Sequence, residues 1–351
     1  METGEITKPS TNLWPSQRPD NSCVVYTPVY AGSPGTRYRV DLLLESLNDF
    51  SFNPALIVDE KENVLKLLYE RFSASLLSKK LIWDIIGRQI ARNVSIHKPH
   101  VVIVMLDVTA GSAKYLHRQG IRTVVFVEDL TASYHDGIRA NKDRAKQVMK
   151  ILCDELAYSD LVATPSHVLS RLLAEEYGIE TLTVPIGTKA YIPLDLARKR
   201  EPNLALHAGQ IHDSRQAMAL MKTSQELAKH KIMTLAYRAG KYAHYVNGVR
   251  WYSYASPEEA VPYVQRAFLG IVARFRPAFT LSSLYYHMGL LQPILALGDG
   301  RWMEEAELLG VSMVKDVGKM NSADVQRQAS AVSRLAIPEV HRPLVDALRK
   351  L

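Results

Sequence analysis

One stretch of the sequence contains side chains of the types that carry acid–base chemistry. VEDLTASYHDG, residues 127–137, overlaps the end of an apolar run and includes Glu128, Asp129, His135 and Asp136. A carboxylate or an imidazole that reaches a hydroxyl can remove its proton and make the oxygen nucleophilic. Asp129 and His135 are therefore the candidate catalytic residues. The alternative is a polar loop whose acids cap a helix.

Arginines that follow apolar runs in the second half of the chain are candidate phosphate ligands. Arg215 and Arg238 both have this position, and Lys241 is the alternative to Arg238. A guanidinium group binds two phosphate oxygens at once and can neutralise the charge on a leaving diphosphate. We interpret Arg274 and Arg276 as charges that flank a strand. For all of them the alternative is an ordinary solvated surface charge.

Two serines begin a predicted helix. Ser282 and Ser283 follow the loop RPAFT. The free N–H groups at a helix N-terminus, with about half a positive charge, bind a diphosphate well. The alternative is that one serine only caps the helix, which is worth about 1 kcal/mol.

A glycine-containing loop, GSPGTRYR, follows the first apolar run. Gly32 and Gly35 lack side chains, so the backbone there can approach a ligand closely. An ordinary turn before a helix explains the same residues, because Ser-Pro-Gly is a strong turn signal.

The elements that must position these residues follow from short, mostly β-branched apolar runs. They begin near residues 23, 55, 101, 123, 161 and 181, and helical patterns lie between them. Such runs are typical of strands buried on both faces of a parallel sheet. A second alternating series begins near residues 203, 232, 249, 268, 293 and 311. The fold class is therefore α/β, with two doubly wound Rossmann-like domains.

The break between the two series predicts the domain organisation. Clefts between domains are preferred ligand sites, and open α/β sheets bind ligands at the carboxyl ends of their strands. We expect a flexible arm at 1–22, a first domain at 23–190, a linker at 191–202, a second domain at 203–335 and a C-terminal helix at 336–351.

Composition excludes several classes of protein. The 351 residues are 47% hydrophobic and 23% charged, as in soluble globular proteins. Cys23 and Cys153 are too few for a disulfide framework or a zinc cluster. The N-terminus lacks the pattern of a signal peptide, and no apolar run is long enough to span a bilayer. We therefore expect a cytoplasmic protein.

Several functional motifs are missing from the sequence. It has no P-loop, no HExxH, no GxSxG and no GxGxxG. It also has no Asp-x-Asp pair that would hold a metal ion against a diphosphate. We therefore expect no metal and no cofactor, and protein cations must neutralise any bound phosphate.

The positive charge of the chain is concentrated in one segment. Residues 61–122 contain eleven basic residues and four acids, which accounts for the whole net charge of +7. Apolar residues at helical spacing predict that one helix face packs on the sheet. The other face, with Lys79, Lys80, Trp83 and Arg88, is a candidate contact for an anionic membrane. The alternative is a solvated helix face. Nucleic acid is not expected as a partner, since no basic–aromatic RNA-binding signature is present.

Three stretches together resemble the GT-B glycosyltransferases, specifically family four and its relatives. Residues 160–188 have a strand, a serine, a helix, Tyr-Gly, a strand and Pro-x-Gly. Residues 206–215 are similar to the Gly-x-x-x-x-x-Lys/Arg opening of the family's second domain. Residues 273–297 resemble its strand, proline, donor-binding helix and Gly-x-Pro-x-x-Ala run. The resemblance extends from Cys23 to about Lys315.

The resemblance implies roles for individual residues. Donor-binding residues are Gly209, Arg215, Arg238, Ser282, Ser283, Leu284 and Tyr286. Gly32 and Gly35 lie on the acceptor and phosphate side. Inverting relatives place an aspartate near Asp129, and retaining ones place a histidine there that touches the donor sugar. The family's two glutamates, the second of which contacts the donor ribose, are replaced by Ala278 and Tyr286.

The resemblance also implies a function. We expect metal-independent transfer of a sugar from a nucleotide diphosphate sugar to a glycan or lipid-linked hydroxyl, in polysaccharide or lipid synthesis. The protein would be cytoplasmic and peripheral at the inner face of the cell membrane. One alternative is a non-catalytic GT-B-like protein that binds a nucleotide sugar or a partner. Others are an epimerase of the same fold and a periplasmic-type binding protein, although the missing signal peptide argues against the last.

Overall fold

The computed structural model describes most of the chain. The described residues are 22–27, 34–58, 76–106, 112–127, 153, 156–209, 211, 213–237, 249–252, 265–275, 278–298, 300–314 and 322–351. Some predicted site residues lie outside them: Gly32, Asp129, His135, Arg238, Lys241 and Arg276. The predicted arm before residue 22 and most of two predicted helices, 141–159 and 257–267, also lie outside them.

The first sheet consists of six parallel strands in the order β2-β1-β3-β4-β5-β6. Alternate residues of β1 enter different cores. Cys23 and Val25 pack on one face of the sheet, and Val24 and Tyr26 pack on the other. Its strands are β1 Ser22–Thr27, β2 Asn53–Val58, β3 Val101–Leu106, β4 Arg122–Val127, β5 Leu161–Thr164 and β6 Leu182–Thr183.

The second sheet also has six parallel strands, in the order β12-β11-β10-β7-β8-β9. Each of the twelve strands lies at a predicted apolar run, and the prediction of two doubly wound α/β domains is confirmed. Its strands are β7 Leu204–His207, β8 Met233–Tyr237, β9 Val249–Tyr252, β10 Leu269–Arg274, β11 Ile294–Gly298 and β12 Met313–Val314.

Helices connect the strands and cover the sheets. Residues 336–351 comprise a 3₁₀ turn, Glu339–His341, followed by a short helix, because Pro343 lacks an N–H and is best placed in a first helical turn. The described helices are α1 Pro34–Asp49, α2 Leu76–Ser95, α3 Ser112–Arg118, α4 His167–Tyr177, α5 Leu194–Arg198, α6 Ser214–Lys229, α7 Ser282–Gly289, α8 Arg301–Leu308, α9 Ser322–Arg334 and α10 Arg342–Leu348.

The chain passes between the two sheets twice, and the two passages are hydrogen-bonded to each other. The Thr188 N–H donates to Leu335 O over 2.9 Å, and the Ile337 N–H donates to Thr188 O over 3.1 Å. After the second passage α10 packs against the core of the first domain, beside Cys23 and Val25. The C-terminal segment therefore belongs to the core of the first domain.

His341 anchors this returning segment. Its Nε2–H donates to Ile186 O over 3.1 Å, and its Nδ1 lies 2.8 Å from Ser46 Oγ on α1. Burial lowers the pKa of His341 to about 4, so the ring is neutral near pH 7. A neutral imidazole can be enclosed here without an uncompensated charge.

Two further features of the described residues bear on function. None of their helices is both long and apolar enough to cross a membrane. Within the same residues, no three His, Cys, Asp or Glu side chains are grouped so that they could hold a metal ion.

Replacing Gly187 by alanine should destabilise the contact between the passages. Gly187 has φ +80°, and a Cβ there would lie 2.7 Å from Ile337 Cγ2 and 2.9 Å from Val340 Cγ1. Strain and overpacking together should lower the free energy of unfolding by about 2–4 kcal/mol in denaturant titrations. Gly178→Ala is the control, since Gly178 has φ +65° but no neighbour within 4 Å, and should cost only about 1 kcal/mol. Equal losses in the two variants would contradict the packing argument.

Candidate functional site

The N-termini of two helices meet where the domains face each other. Helix α1 follows β1 in the first domain and α7 follows β10 in the second, so both begin at the carboxyl ends of central strands. The Ser282 hydroxyl donates to Gly35 O over 3.0 Å. A Cβ on Gly35 would lie 3.3 Å from Ser282 Oγ. The structure thus brings together two residues that were selected from different parts of the sequence.

The contact also resolves the capping alternative for Ser282. The N-cap of α7 is Leu281, which makes no side-chain capping bond, and Ser282 is the first helical residue. Its hydroxyl contacts the other domain and does not cap its own helix. Free N–H groups and the positive end of the helix dipole therefore face the boundary between the domains.

Tyr286, at the position aligned with the ribose-contacting glutamate, lies inside an aromatic cluster. Its side chain is only 4% exposed. The ring packs edge-on against Tyr38 of α1, with centroids 6.5 Å apart, and lies 5.8 Å from the ring of Tyr191. The Tyr38 and Thr188 hydroxyls are 3.3 Å apart. Tyr286 therefore joins α7 to the first domain and to the passage between the domains.

Leu284 and Ala278, two further positions of the predicted donor motif, are also buried. Leu284 belongs to the same large core as Tyr286, and Ala278 is buried before α7. Neither presents a polar group to a ligand through its side chain.

A chain of hydrogen bonds through His287, which the sequence did not predict, holds the turn at Gly209. The Ala208 N–H donates to His287 Nε2 over 3.4 Å, so the proton of this ring is on Nδ1, which donates to Gln292 Oε1 over 2.6 Å. The Gln292 amide donates in turn to Ala267 O over 2.9 Å. Burial lowers the pKa of His287 to about 4. Neutral His287 thereby fixes the backbone after β7 relative to α7.

The His207 ring packs against the same turn. Its Nδ1–H donates to Ile271 O over 2.9 Å, and burial lowers its pKa. A Cβ on Gly209 would lie 3.2 Å from the His207 ring and 4.0 Å from Ser283 Cβ. The absence of a side chain at Gly209 leaves room between the turn and the first turn of α7.

Arg215 lies in the first turn of α6, which follows β7, so it is at the carboxyl edge of the second sheet as predicted. The Asp213 carboxylate caps α6 by accepting from the Gln216 N–H over 2.9 Å. The side chain of Arg215 is exposed. Arg274 is the last residue of β10, at the same edge.

A second contact between the domains is centred on Glu305 of α8. Its carboxylate accepts hydrogen bonds from Ser166 Oγ at 2.8 Å, His167 Nδ1 at 2.9 Å and the Val168 N–H at 3.0 Å. Ser166 was expected in the motif at residues 160–188, but Glu305 was missed. A pairing across nearly 140 residues leaves no local pattern in the sequence.

The predicted basic face lies on α2 of the first domain, and α3 lies beside it. Arg88 donates to the Tyr115 hydroxyl over 2.9 Å and pairs with Asp84 at 3.0 Å. Lys114 and Arg118 also lie within 6 Å of the Tyr115 ring centre. Lys79, Lys80 and Trp83 are on α2, and their side chains lie outside the described part of the structure. Ile85 and Ile96, 48% and 73% exposed, are on the same segment.

Solved structures share this architecture, whereas no family model and no curated protein matches the sequence. The chain is similar to HepE from Anabaena, solved with UDP and glucose, with a TM-score of 0.64 and 12% identity over 94% of this chain and 100% of HepE. It is similar to sucrose-phosphate synthase from Thermosynechococcus elongatus, with a TM-score of 0.59 and 11% identity over 94% and 98% of the two chains.

A third similar structure is a suggested UDP-N-acetylglucosamine 2-epimerase from Listeria monocytogenes. The TM-score is 0.52 and the identity 12%, over 92% of this chain and 90% of the other. At these identities the likeness establishes the fold. The chain has the two-domain GT-B fold that its sequence predicted.

Acid should destabilise the protein through its buried histidines. The pKa of His287 is about 4 in the fold against 6.5 as its ordinary value, so the unfolded chain binds more protons between these pH values. The stabilisation is complete above about pH 6.5, and on the order of 3 kcal/mol is lost as pH falls to about 4. Urea titrations at a series of pH values should show that the free energy of unfolding falls less with decreasing pH in His287→Gln than in wild type. An unchanged pH dependence in His287→Gln would refute the assignment.

Proposed function

We propose that this protein is a glycosyltransferase that moves a sugar from a nucleotide diphosphate sugar to a hydroxyl of a glycan or lipid-linked acceptor, without a metal ion. The observation that carries the proposal is the meeting of α1 and α7 at Gly35 and Ser282. Two helix N-termini from different domains face the same boundary, where a diphosphate would gain from both dipoles.

The second domain would bind the donor. The first turn of α7, with Ser283, presents N–H groups, and Gly209 lets the backbone approach the phosphates. Arg215, at the same sheet edge, would neutralise charge on the leaving diphosphate. Arg238 is proposed for the same role. His287 and Gln292 would act indirectly, by holding the Gly209 turn against α7.

The first domain, proposed as residues 23–190, would bind the acceptor. Asp129 and His135 follow β4, whose carboxyl end lies on the same edge as that of β1. In an inverting reaction either side chain would remove the proton of the acceptor hydroxyl. Gly32, in the loop before α1, would lie on the acceptor side of the phosphates. Closure of the two domains would exclude water from the transfer.

The solved relatives support a nucleotide sugar as donor. HepE was solved with UDP and glucose. Sucrose-phosphate synthase is named for a transfer product. A uridine nucleotide is therefore the first donor to test.

The basic face on α2 supports a peripheral position at an anionic inner membrane surface. Each lysine or arginine near such a surface contributes about 1 kcal/mol. The exposed Ile85 and Ile96 add apolar area beside these charges. A lipid-linked acceptor would be presented at that surface, and we propose a cytoplasmic location for the protein.

Two alternatives have their own supporting observations. Ala278 and the enclosed Tyr286 replace both glutamates of the donor motif, which favours a protein that binds a nucleotide sugar or a partner without turnover. The similarity to the Listeria structure favours an epimerase of the same fold. Product analysis separates the three, since an epimerase needs no acceptor and a binding protein releases no product.

Incubation with a panel of nucleotide diphosphate sugars tests the proposed reaction. We expect release of the nucleoside diphosphate that depends on an acceptor, with the same rate in EDTA. Binding without turnover would support the non-catalytic alternative. If no nucleoside diphosphate binds, every donor-based function is refuted.

Arg215→Ala should weaken binding of the nucleoside diphosphate by about tenfold to a hundredfold, because a charged hydrogen bond to phosphate is lost. Isothermal titration calorimetry measures the affinity. Lys229→Ala is the matched control, since Lys229 is an exposed cation at the opposite end of the same helix. Equal affinities of the two variants would remove Arg215 from the site.

Liposome sedimentation tests the membrane contact. Binding should rise with the anionic lipid fraction, and the double charge reversal Lys79→Glu, Lys80→Glu should reduce it by at least about tenfold. The control is Lys222→Glu, Lys229→Glu on the exposed side of α6. Binding that ignores anionic lipid, or that both variants change alike, would contradict the proposal.

A further inference from the structure

A buried carboxylate of the second domain is bound entirely by groups of the first. Glu305 is 0% exposed, and its described donors are Ser166 Oγ, His167 Nδ1 and the backbone N–H groups of His167 and Val168. All of these donors belong to the N-cap and first turn of α4. These hydrogen bonds exist only while the two domains are in contact.

The contact places a buried carboxylate at the N-terminus of α4. A carboxylate at a helix N-terminus gains from the helix dipole and from free N–H groups. Ser166 already caps α4 by accepting from the Leu169 N–H over 3.0 Å, and its hydroxyl hydrogen then goes to Glu305. If the domains separated, Glu305 would exchange these donors for water, and Val168 would lose its partner.

The charges around Glu305 come from several elements. His167 and Arg171 lie on α4, and the exposed Arg171 pairs with Glu304, the neighbour of Glu305, at 3.1 Å. The buried Tyr285 of α7 stays neutral, since its pKa is raised by burial and also by the charge of Glu305. The His167 ring, with 47% of its side chain exposed, is thus the titratable partner that solvent can reach.

We propose that Glu305 and His167 form a pH-sensitive lock that holds the two domains together at α4 and α8. The lock is a property of the fold and does not depend on the proposed glycosyl transfer. It differs from the contact between Ser282 and Gly35, which contains no ionisable side chain.

The direction of the pH dependence follows from the two groups. Burial by itself raises the pKa of Glu305, but the hydrogen bonds from His167, Val168 and Ser166 outweigh it and hold the pKa below its ordinary value. The contribution of the Glu305 carboxylate to the stability of the contact is present above that ordinary pKa and is lost as pH falls through the lowered pKa. The hydrogen bond to Glu305 raises the pKa of His167. The contribution of protonated His167 to the stability of the contact is therefore complete below pH 6.5 and is lost as pH rises through the raised pKa. Contact is strongest between these limits.

Hydrogen exchange at the Val168 amide and small-angle scattering of the full chain test the lock. In Glu305→Gln the protection of Val168 should fall about tenfold relative to wild type at the same pH, and the radius of gyration should rise. Glu307→Gln, at an exposed glutamate of the same helix, is the matched control and should change neither. If Val168 loses protection while the scattering stays unchanged, the contact is only a local helix cap and the lock is refuted.

His167→Gln provides an independent test, since a half-exposed side chain can be replaced without loss of the fold. In wild type the protection of Val168, corrected for intrinsic exchange, should fall as the pH rises above 6.5 and through the raised pKa of His167. In His167→Gln this alkaline loss should disappear. An unchanged alkaline loss in the variant would overturn the role of His167.

Discussion

The paired passages of the chain between the domains constrain everything else in this structure. Thr188 forms hydrogen bonds with Leu335 and Ile337 of the returning segment. His341 then connects that segment to α1 and to Ile186 through its two ring nitrogens. Because α10 then enters the core of the first domain, the second domain is held at both of its ends. The paired passages therefore fix where the second domain begins and ends relative to the first.

The N-termini of α4 and α7 both meet the opposite domain, and the hydrogen-bonding groups at these two helix ends have different partners. At α4 the carboxylate of Glu305 fills the position where an anion would bind. At α7 the only described contact of Ser282 across the boundary is a hydroxyl donating to a carbonyl, which supplies no negative charge. A bound diphosphate would therefore gain most at α7. The same physical rule thus explains a structural contact at one helix end and supports the proposed binding role of the other.

Two neutral histidines pack beneath the Gly209 turn at the carboxyl edge of the second sheet. His207 and His287 both have pKa values lowered by burial, and each uses one ring nitrogen as a donor. Since they are uncharged near pH 7, they can pack under the Gly209 turn without an uncompensated buried charge. Gly270 makes room for this arrangement, because a Cβ there would lie 2.8 Å from the His287 ring.

The strands, the doubly wound class and several edge positions followed from the sequence alone. Runs such as VVIVML predict strands because they are apolar, β-branched and short, and these properties are local. The positions of Gly35, Arg215 and Ser282 at strand ends followed from chain order in the same way. Their direct meeting did not, since the Ser282–Gly35 bond joins residues 247 positions apart. The partners of Glu305 and the enclosure of Tyr286 were likewise decided by tertiary structure, because they depend on how two separately predictable sheets are held against each other. The Ala208 N–H that binds His287 lies 79 positions away in the same domain, so the packing of the second sheet decided that contact.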